Sequence, residues 1–417
     1  MISPRWRQKL HAVGPGILFA GAAIGVSHLV QSTRAGAGYG FDLLWAVVLV
    51  LLFKYPFFQY AHRYTAATGE SLLQGYRRLG TWALALFMGV VVISSFIAMA
   101  AVTVVTAGLA GTLLGLDMSL TMLSLVLLVV ILVMLAAGHY RLLDGVMKVM
   151  VLALGALTLT AVGVAAFHGP AGDPDFVHPS VWSAGGLTFL LALMGWMPAP
   201  LDIGAWSSLW ILAKHKNDPE PPTLAQALLD FNIGYAATVV LAFSFVSFGA
   251  LVMFGTGAEF SPSGLAFSRQ LVDMYTGTLG GWSRWIISLV AFITMFSTTI
   301  TVMDGYARTL AAGFGLLFRP ESKPDPRTTL VFMVLLLILA VAIIGFFMGG
   351  MWALVDIATV LAFLTAPLVA VLNFSVVQGG NVPPGKRPGR GLSVLSWTGI
   401  VFLVGFGLLW IWVRFLS

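Results

Sequence analysis

A histidine lies inside one of the most hydrophobic stretches of the chain. The segment GILFAGAAIGVSHLVQSTR (residues 16–34) is apolar until Ser27 and His28, and Gln31 follows three residues later. An imidazole titrates near neutral pH, and its nitrogens can donate or accept hydrogen bonds. His28 is therefore interpreted either as a solute-binding or proton-carrying group, or as a neutral side chain bonded to an unwound backbone carbonyl.

A second polar interruption combines two prolines with a carboxylate. The stretch GWMPAPLD (residues 195–202) places Pro198 and Pro200 two residues apart, and Asp202 follows them. Proline removes a backbone donor, so free carbonyl oxygens are expected here. Asp202 falls in the first turn of the next helix, where exposed amides favour an acid. A capping role and a role in solute or proton binding both remain open, and Trp196 indicates either packing or an aromatic wall.

The composition is that of a membrane protein. Of 417 residues, 59% are hydrophobic and 9% are charged, and the mean hydropathy is +0.95. Soluble domains carry about 25% charged residues. Runs such as 119–138 and 328–345 contain no charged residue, and about 20 such residues span a bilayer as a helix. The absence of cysteine excludes disulfides and thiolate metal sites.

Hydropathy predicts eleven transmembrane helices in a single domain over residues 1–417. They lie near 13–37, 41–63, 82–114, 119–138, 143–167, 182–213, 225–254, 284–314, 328–348, 351–378 and 392–415. Most of the 22 Lys and Arg residues fall on cytoplasmic segments if the N-terminus is inside. The protein is therefore expected in the cell (inner) membrane with its C-terminus outside. Because the net charge of +6 follows this rule, nucleic acid is not an expected partner.

The two interruptions occupy matching places in this layout. Gly25–His28 falls in the first span and residues 194–202 fall in the sixth. Broken spans at corresponding positions indicate an inverted repeat with a binding site between the breaks. We predict repeats over 13–167 and 182–378, with an extra helix at 392–415. The predicted binding residues are Gly25, Ser27, His28, Gln31, Trp196, Met197, Ala199 and Asp202.

Several motifs resemble those of the Nramp divalent-metal transporters. They are Gly14-Pro15-Gly16, AGAGYGFDLLW (35–45), GESLLQGYRRLG (69–80), GHYRLLDGVMKVM (138–150) and Met197-Pro198, with looser similarity at 94–115 and 297–314. The resemblance covers about 13–378. It implies an all-α membrane protein of the leucine-transporter fold, with helices 1 and 6 unwound at the substrate. It also implies a secondary transporter by symport. No hydrophilic catalytic lobe accompanies the spans, so neither an enzyme nor a resident cofactor is expected.

The metal-binding motifs of that family are altered in this chain. Nramp transporters carry Asp-Pro-Gly-Asn in the first break and Met-Pro-His in the sixth helix. In the aligned positions, Gly25 replaces the aspartate, His28 replaces the asparagine and Ala199 replaces the histidine. Met197 is retained. Met197 and His28 together make a thin shell for a soft metal, because a harder divalent cation usually needs a carboxylate.

Three substrate classes therefore remain open. The family resemblance implies a divalent metal ion, while loss of the metal carboxylate favours a small organic or other non-metal solute. A non-transporting sensor on the same fold is the third alternative. Oligomeric state is not predicted by any of these patterns.

Polar residues within the spans supply candidate coupling groups. His28 and Asp202 are predicted to couple transport to protons, because both titrate within the breaks. Ser297 and Thr298 resemble the eighth-helix hydroxyls that hold sodium in other members of the wider fold, although contacts between helices account for them equally.

Two basic residues in the spans need partners or an exit to water. Lys54 is expected to pair with an acid, and Asp202, Asp304 and Asp356 are the candidates. Arg34, near the predicted external end of its span, is expected to extend toward the membrane surface.

Overall fold

The computed structural model describes residues 15–138, 140–173, 175–215, 222–319, 325–347 and 350–416, most of which are helical. The basic segment Arg5–Lys9, on which part of the predicted orientation depends, lies outside the described residues.

Fifteen α-helices lie in the described ranges. They are α1 Pro15–Ala23, α2 Thr33–Tyr39, α3 Leu44–Thr68, α4 Leu72–Leu79, α5 Thr81–Leu114, α6 Leu120–Ala136, α7 Tyr140–His168, α8 Ala184–Gly195, α9 Ile203–His215, α10 Leu224–Val252, α11 Gly264–Leu279, α12 Ser283–Phe318, α13 Pro326–Phe346, α14 Gly350–Val377 and α15 Arg390–Phe415. A π-helical segment, Ser27–Ser32, joins α1 to α2, and a 3₁₀ turn, Pro384–Lys386, precedes α15.

The predicted membrane architecture is confirmed. Within the described residues, seven helices are long and apolar enough to cross a bilayer, namely α3, α5, α10, α12, α13, α14 and α15. Shorter apolar helices include α6, α8 and the second half of α7. The pairs α1–α2 and α8–α9 are the halves of two interrupted spans. With these pairs counted once each, the helices correspond to the eleven predicted spans, with the first and sixth broken.

The first broken span is held by backbone-to-backbone packing. Helix α10 packs along α1, the π-helical segment and α2. A Cβ atom added at Gly36 would overlap the carbonyl oxygen of Val246, and one added at Gly234 would overlap that of Gly16. Glycine is therefore required at both points for α10 to approach this closely. The result is a broken span fixed along one side by a continuous helix.

The two longest helices, α5 and α12, pack against each other and close the other side of the core. Helix α14 packs against α8 and α5. Helices α13 and α15 bury 22% and 28% of their most apolar windows, so they lie at the rim. The core is therefore built around the two broken spans.

Two short helices lie in segments expected to be connections. Helix α4 begins with a capping box in which Ser71 and Gln74 exchange side-chain and backbone hydrogen bonds. Helix α11 lies within the predicted connection 255–283 and buries Phe267, Leu271 and Tyr275. Its polar residues lower the average hydropathy of the segment, which is why a search for apolar runs misses it.

Candidate functional site

The first break begins where α1 ends. Ile24 and Gly25 form a bend, and the chain then continues through the π-helical segment; residues 24–32 are called the first break below. A Cβ atom added at Gly25 would lie 2.7 Å from Thr298 Cγ2. The Thr298 hydroxyl lies 3.4 Å from the carbonyl oxygens of both Gly21 and Ile24. Helix α12 therefore packs directly onto carbonyls that the bend releases.

His28 is fully buried and bonded on both sides of its ring. Its Nε2 atom lies 3.0 Å from the carbonyl oxygen of Thr238 on α10. Its Nδ1 atom lies 2.7 Å from Ser27 Oγ and 3.1 Å from the carbonyl oxygen of Ala23. In the neutral tautomer that these contacts allow, Nε2–H donates to Thr238 and Nδ1 accepts from Ser27. The imidazole thus bridges the broken span to its neighbouring helix.

The second break, residues 196–202, separates α8 from α9. The Met197–Pro198 peptide bond is cis. Just before the break, a Cβ atom added at Gly195 would overlap the carbonyl oxygen of Thr359, so α8 and α14 touch through their backbones. The buried Lys54 Nζ atom donates to the carbonyl oxygens of Met194 and Gly195, each at 2.7 Å.

The two breaks meet through one hydroxyl. Ser27 Oγ lies 3.1 Å from the carbonyl oxygen of Pro198. Beside this contact is a cavity of about 30 Å³, called the central cavity below. Its wall consists of Ala22, Ala23, Val26, Ser27, Ala98, Val102, Trp196, Pro198, Ala199, Pro200, Ile203, Trp206, Thr298, Val302 and Tyr306. The wall offers hydroxyls, carbonyls and an indole NH, but no carboxylate.

A smaller cavity of about 10 Å³ adjoins Asp202, which leaves room for about one water molecule. Asp202 is 4% exposed. Its Oδ2 atom accepts a hydrogen bond from Ser94 at 3.3 Å, and the Tyr306 hydroxyl faces the same carboxyl group. Within the described residues, Asp202 Oδ1 has no hydrogen-bond partner.

Some of the predicted binding residues line a cavity, and others pack or form hydrogen bonds next to it. Ser27, Trp196 and Ala199 line the central cavity, while Trp196 and Asp202 line the smaller one. Met197 is buried without lining either cavity. Gly25 and His28 serve packing and hydrogen bonding beside the wall.

Gln31 lies away from the central cavity and takes part in a charged cluster. Arg34 bonds to the Gln31 side-chain oxygen and to Asp356, both at 2.9 Å. The guanidinium carbon lies 4.2 Å from the centre of the Trp352 ring. Arg34, which was expected to extend toward the membrane surface, thus has an ion-pair partner in Asp356 on α14. This cluster borders a vestibule of about 1040 Å³.

Hydrogen bonds tie the opposite end of the broken span to its neighbours. The Gly16 amide donates to Asp230 Oδ2 at 2.6 Å, so α10 caps the start of α1. Tyr76, Asn373 and the Phe57 carbonyl oxygen form a hydrogen-bonded chain nearby. Arg63 also reaches the Lys386 carbonyl oxygen at 2.9 Å. The molecule thus has a wide vestibule at one end of α2 and a hydrogen-bonded contact between α1 and α10 at the other end of the broken span.

Sequence reasoning did not identify some residues of the site. Ser94 and Tyr306 converge on Asp202 from α5 and α12, and no local spacing reveals that contact. Lys54 carried a signal, since a lysine inside a predicted span needs a partner. Of the acids considered for it, Asp304 instead bonds to Arg308 and Trp210. Lys54 bonds to backbone carbonyls, and none of the three acids makes a hydrogen bond to it in the described part of the chain.

The described residues contain no group of three or more His, Asp or Glu side chains placed to hold a metal ion. A site made of hydroxyls and carbonyls can bind a small polar solute or a weakly held cation. Divalent metals usually require carboxylate or several nitrogen ligands.

Comparisons with known proteins identify relatives of the whole chain. The family model described as natural resistance-associated macrophage protein-like (Nramp) matches residues 16–413. An uncharacterized protein of Pasteurella multocida is 38% identical over 410 residues, covering 97% of this chain and 93% of that protein. A metal transporter of Populus trichocarpa is 32% identical over 96 residues, covering 22% of this chain and 18% of that protein.

Solved structures show the same fold. The Eremococcus coleocola manganese transporter in complex with an aromatic bis-isothiourea substituted compound gives a TM-score of 0.74 at 16% identity, covering 99% of this chain and 88% of that chain. MhsT in complex with L-phenylalanine gives 0.63 at 13% identity, covering 96% and 98%. The family-model match and the full-length relative together show that this chain belongs to the Nramp family of membrane transporters.

Proposed function

We propose that this protein is a secondary active transporter that moves a small, weakly charged solute other than a divalent metal ion. The observation that carries the proposal is the central cavity, which lies between the two breaks and has no carboxylate in its wall. A volume of about 30 Å³ admits a small ion or about one water molecule in this conformation, so a larger solute requires the cavity to open.

The arrangement of the two ends supports alternating access. The vestibule leads toward the breaks from the end of α2, and the Gly16–Asp230 contact closes the end at α1. With the N-terminus in the cytoplasm of a cell with an inner membrane, the vestibule faces outward. Inward opening then requires α1 to separate from α10 at the Gly16–Asp230 contact, while the vestibule beside Arg34 and Asp356 narrows over the solute. Residues 13–167 and 182–378 form the two repeats of the single transport domain in this proposal.

Proton coupling follows from the contacts of Ser27 and His28. When His28 is neutral, the Ser27 proton is directed to Nδ1. A proton added at Nδ1 blocks this acceptor, and the Ser27 hydroxyl then donates to the carbonyl oxygen of Ala23 at 2.8 Å or to that of Pro198, in the other break, at 3.1 Å. Protonation of His28 is thereby linked to the contact between the breaks. Asp202, with an oxygen that lacks a hydrogen-bond partner among the described residues, is the second candidate.

Sodium coupling has weaker support. The Thr298 hydroxyl lies 3.4 Å from one carbonyl oxygen of α1 and one of the first break, those of Gly21 and Ile24. Ser297 Oγ is buried without a hydrogen-bond partner in the described part of the chain, so sodium dependence belongs in the same transport assay.

A divalent or soft metal ion remains the second candidate substrate. It is favoured by the retained Met197 and by the likeness to manganese transporters. Met197 and His28 would have to rotate toward the cavity for both to act as ligands, because neither lines it now. The third possibility, a sensor that does not transport, has no structural observation in its favour.

Metal titration of the purified protein separates these proposals. We expect manganese, zinc, copper and magnesium to leave the melting temperature unchanged and to give no saturable heat in calorimetry. Amino acids, polyamines and small organic ions form the parallel thermal-shift series, and hits are then tested for uptake into proteoliposomes with and without a pH gradient. A saturable metal signal that is lost in Met197→Leu would overturn the non-metal proposal and support the second candidate.

A further inference from the structure

Lys54 places a positive charge inside the second break from a distant helix. It lies in the middle of α3 and is fully buried. Its Nζ atom lies 2.7 Å from the carbonyl oxygens of Met194 and Gly195, and 3.4 Å from that of Ala199. The three oxygens come from both sides of the point where α8 ends.

The sequence explains why these oxygens are available. In a continuous helix the Met194 carbonyl would accept from the amide four residues later, but that residue is Pro198, which has no amide hydrogen. The Gly195 carbonyl would accept from Ala199, which lies in the non-helical break. The last carbonyls of a helix need such partners from elsewhere. Lys54 supplies them.

The number of hydrogen-bond donors on Lys54 matches the number of carbonyl oxygens around it. A lysine ammonium has three donors and no acceptor, and three carbonyl oxygens surround it. Carbonyl oxygens without formal charge are the groups that replace the water shell of alkali-metal ions in selective sites. The site also lies at the negative end of the α8 dipole, which favours a cation.

No carboxylate makes a hydrogen bond to Lys54 in the described part of the chain. Asp202 acts on it through space, while Asp304 and Asp356 are bonded to Arg308 and Arg34. The arrangement is therefore a cation held by backbone carbonyls, and a conventional salt bridge does not describe it. Ala199, which contributes the third oxygen, also lines the central cavity.

We propose that the Lys54 ammonium is a tethered cation that fills a monovalent-cation position in the second break. The unwound conformation of residues 196–202 then needs no bound alkali-metal or ammonium ion. The same fixed charge disfavours a dication in the adjoining central cavity. The first part of this proposal does not depend on which solute the protein carries.

Thermal unfolding of Lys54→Ala, compared with wild type, tests the proposal. Both proteins are measured in choline, sodium, potassium and propylammonium chloride at equal ionic strength. Propylammonium has the same heavy atoms as the part of the side chain that the substitution removes, and 1-propanol is its uncharged control. Lys54→Met fills the space without charge, and Lys386→Ala removes a lysine far from the breaks.

The wild-type melting temperature is expected to be the same in all four salts. In choline, Lys54→Ala is expected to melt about 5 °C or more below wild type, because three buried carbonyls lose their partner. Propylammonium or potassium should restore at least half of that loss in Lys54→Ala and none in Lys54→Met, and 1-propanol should restore none. Lys386→Ala should behave like wild type.

Two results would overturn the proposal. One is equal melting of Lys54→Ala in choline and in the other salts, which would show that the carbonyls form no cation site. The other is a wild-type melting temperature that rises in sodium or potassium relative to choline and does so equally in Lys54→Ala. If Lys54→Ala fails to fold, a wild-type melting temperature that rises in potassium relative to choline would overturn the proposal by itself.

Discussion

Neutral side chains from the first break itself and from α12 bond to the carbonyl oxygens around the first break, whereas those of the second break depend on a charged side chain from α3. In the first break, Ser27 and His28 reach back to Ala23 and sideways to Thr238. In the second, no side chain between residues 196 and 202 bonds to Met194 or Gly195, and Lys54 does so. The carbonyl oxygens at two positions that match in the predicted repeat therefore have different kinds of hydrogen-bond donor, neutral side chains in the first break and an ammonium group in the second.

The two breaks also differ in how easily the neighbouring atoms can move to accommodate an added side chain. At Gly25 an added methyl group meets the side chain of Thr298, and at Gly195 it meets the backbone of Thr359. A side chain can rotate away, but the backbone of α14 cannot move without shifting the helix. The second break should therefore tolerate added volume less well than the first.

The largest expected effect is that of Gly195→Ala. Overpacking of a rigid core costs about 1–3 kcal/mol and sometimes more, and here the obstacle is a carbonyl oxygen. We expect a lower melting temperature and loss of transport. Gly185→Ala in the same helix has open space around it and is the matched control. Equal melting of the two variants would show that α8 and α14 can separate without cost.

Gly25→Ala should be less damaging and open to rescue. The added carbon lies 2.7 Å from Thr298 Cγ2, so we expect a loss of about 1–2 kcal/mol. The Thr298 hydroxyl oxygen would lie 2.8 Å from the same carbon, so the double variant Gly25→Ala with Thr298→Ala removes both atoms and should regain most of the stability. Urea or thermal unfolding of the four combinations gives the coupling energy directly. Additive losses would contradict the proposed contact.

The smallest expected effect concerns the vestibule ends of the two broken spans. Asp42 follows α2 and His178 precedes α8, and the His178 Nε2 atom lies 2.8 Å from Asp42 Oδ2. The Pro179 carbonyl and then Asp42 raise the pKa of His178 above its usual value. The contact therefore stabilises the fold fully below pH 6.5 and is lost as the pH rises through the raised pKa.

Thermal unfolding at pH 6 and pH 8 checks this contact. Wild type should exceed His178→Gln slightly at pH 6 and match it at pH 8. The difference should be small, because the Asp42 side chain is 66% exposed and solvent screens such pairs. A difference that grows toward pH 8 would contradict the assignment of the protonated imidazole as the partner of Asp42.

The sequence was sufficient for the architecture because hydrophobic length and broken helices are local properties. The eleven spans follow from apolar runs, and the two breaks follow from Gly25 and from the Pro198 and Pro200 pair. Helix α11 was missed because its polar face dilutes its hydropathy.

The roles of individual side chains were harder to predict, because they depend on which helices meet. The local spacing of Gln31 and Arg34 gives no hint of Asp356, more than 300 residues away in the chain. Met197 belongs to the break in sequence, yet it does not line the central cavity. His28 stood out in the sequence as an imidazole within an apolar span, and its three contacts are those of a side chain bonded to backbone carbonyls and to Ser27.

The vestibule and the central cavity differ greatly in size, at about 1040 Å³ and 30 Å³. An inhibitor therefore need not resemble the cargo. Aromatic residues, including Tyr39, Trp352 and Trp410, line the larger space together with Arg34 and Glu259. A drug-sized molecule with an aromatic body and a charged group can lodge there and hold the protein in one state. Blockade and substrate recognition can thus be pursued as separate chemical problems in this protein.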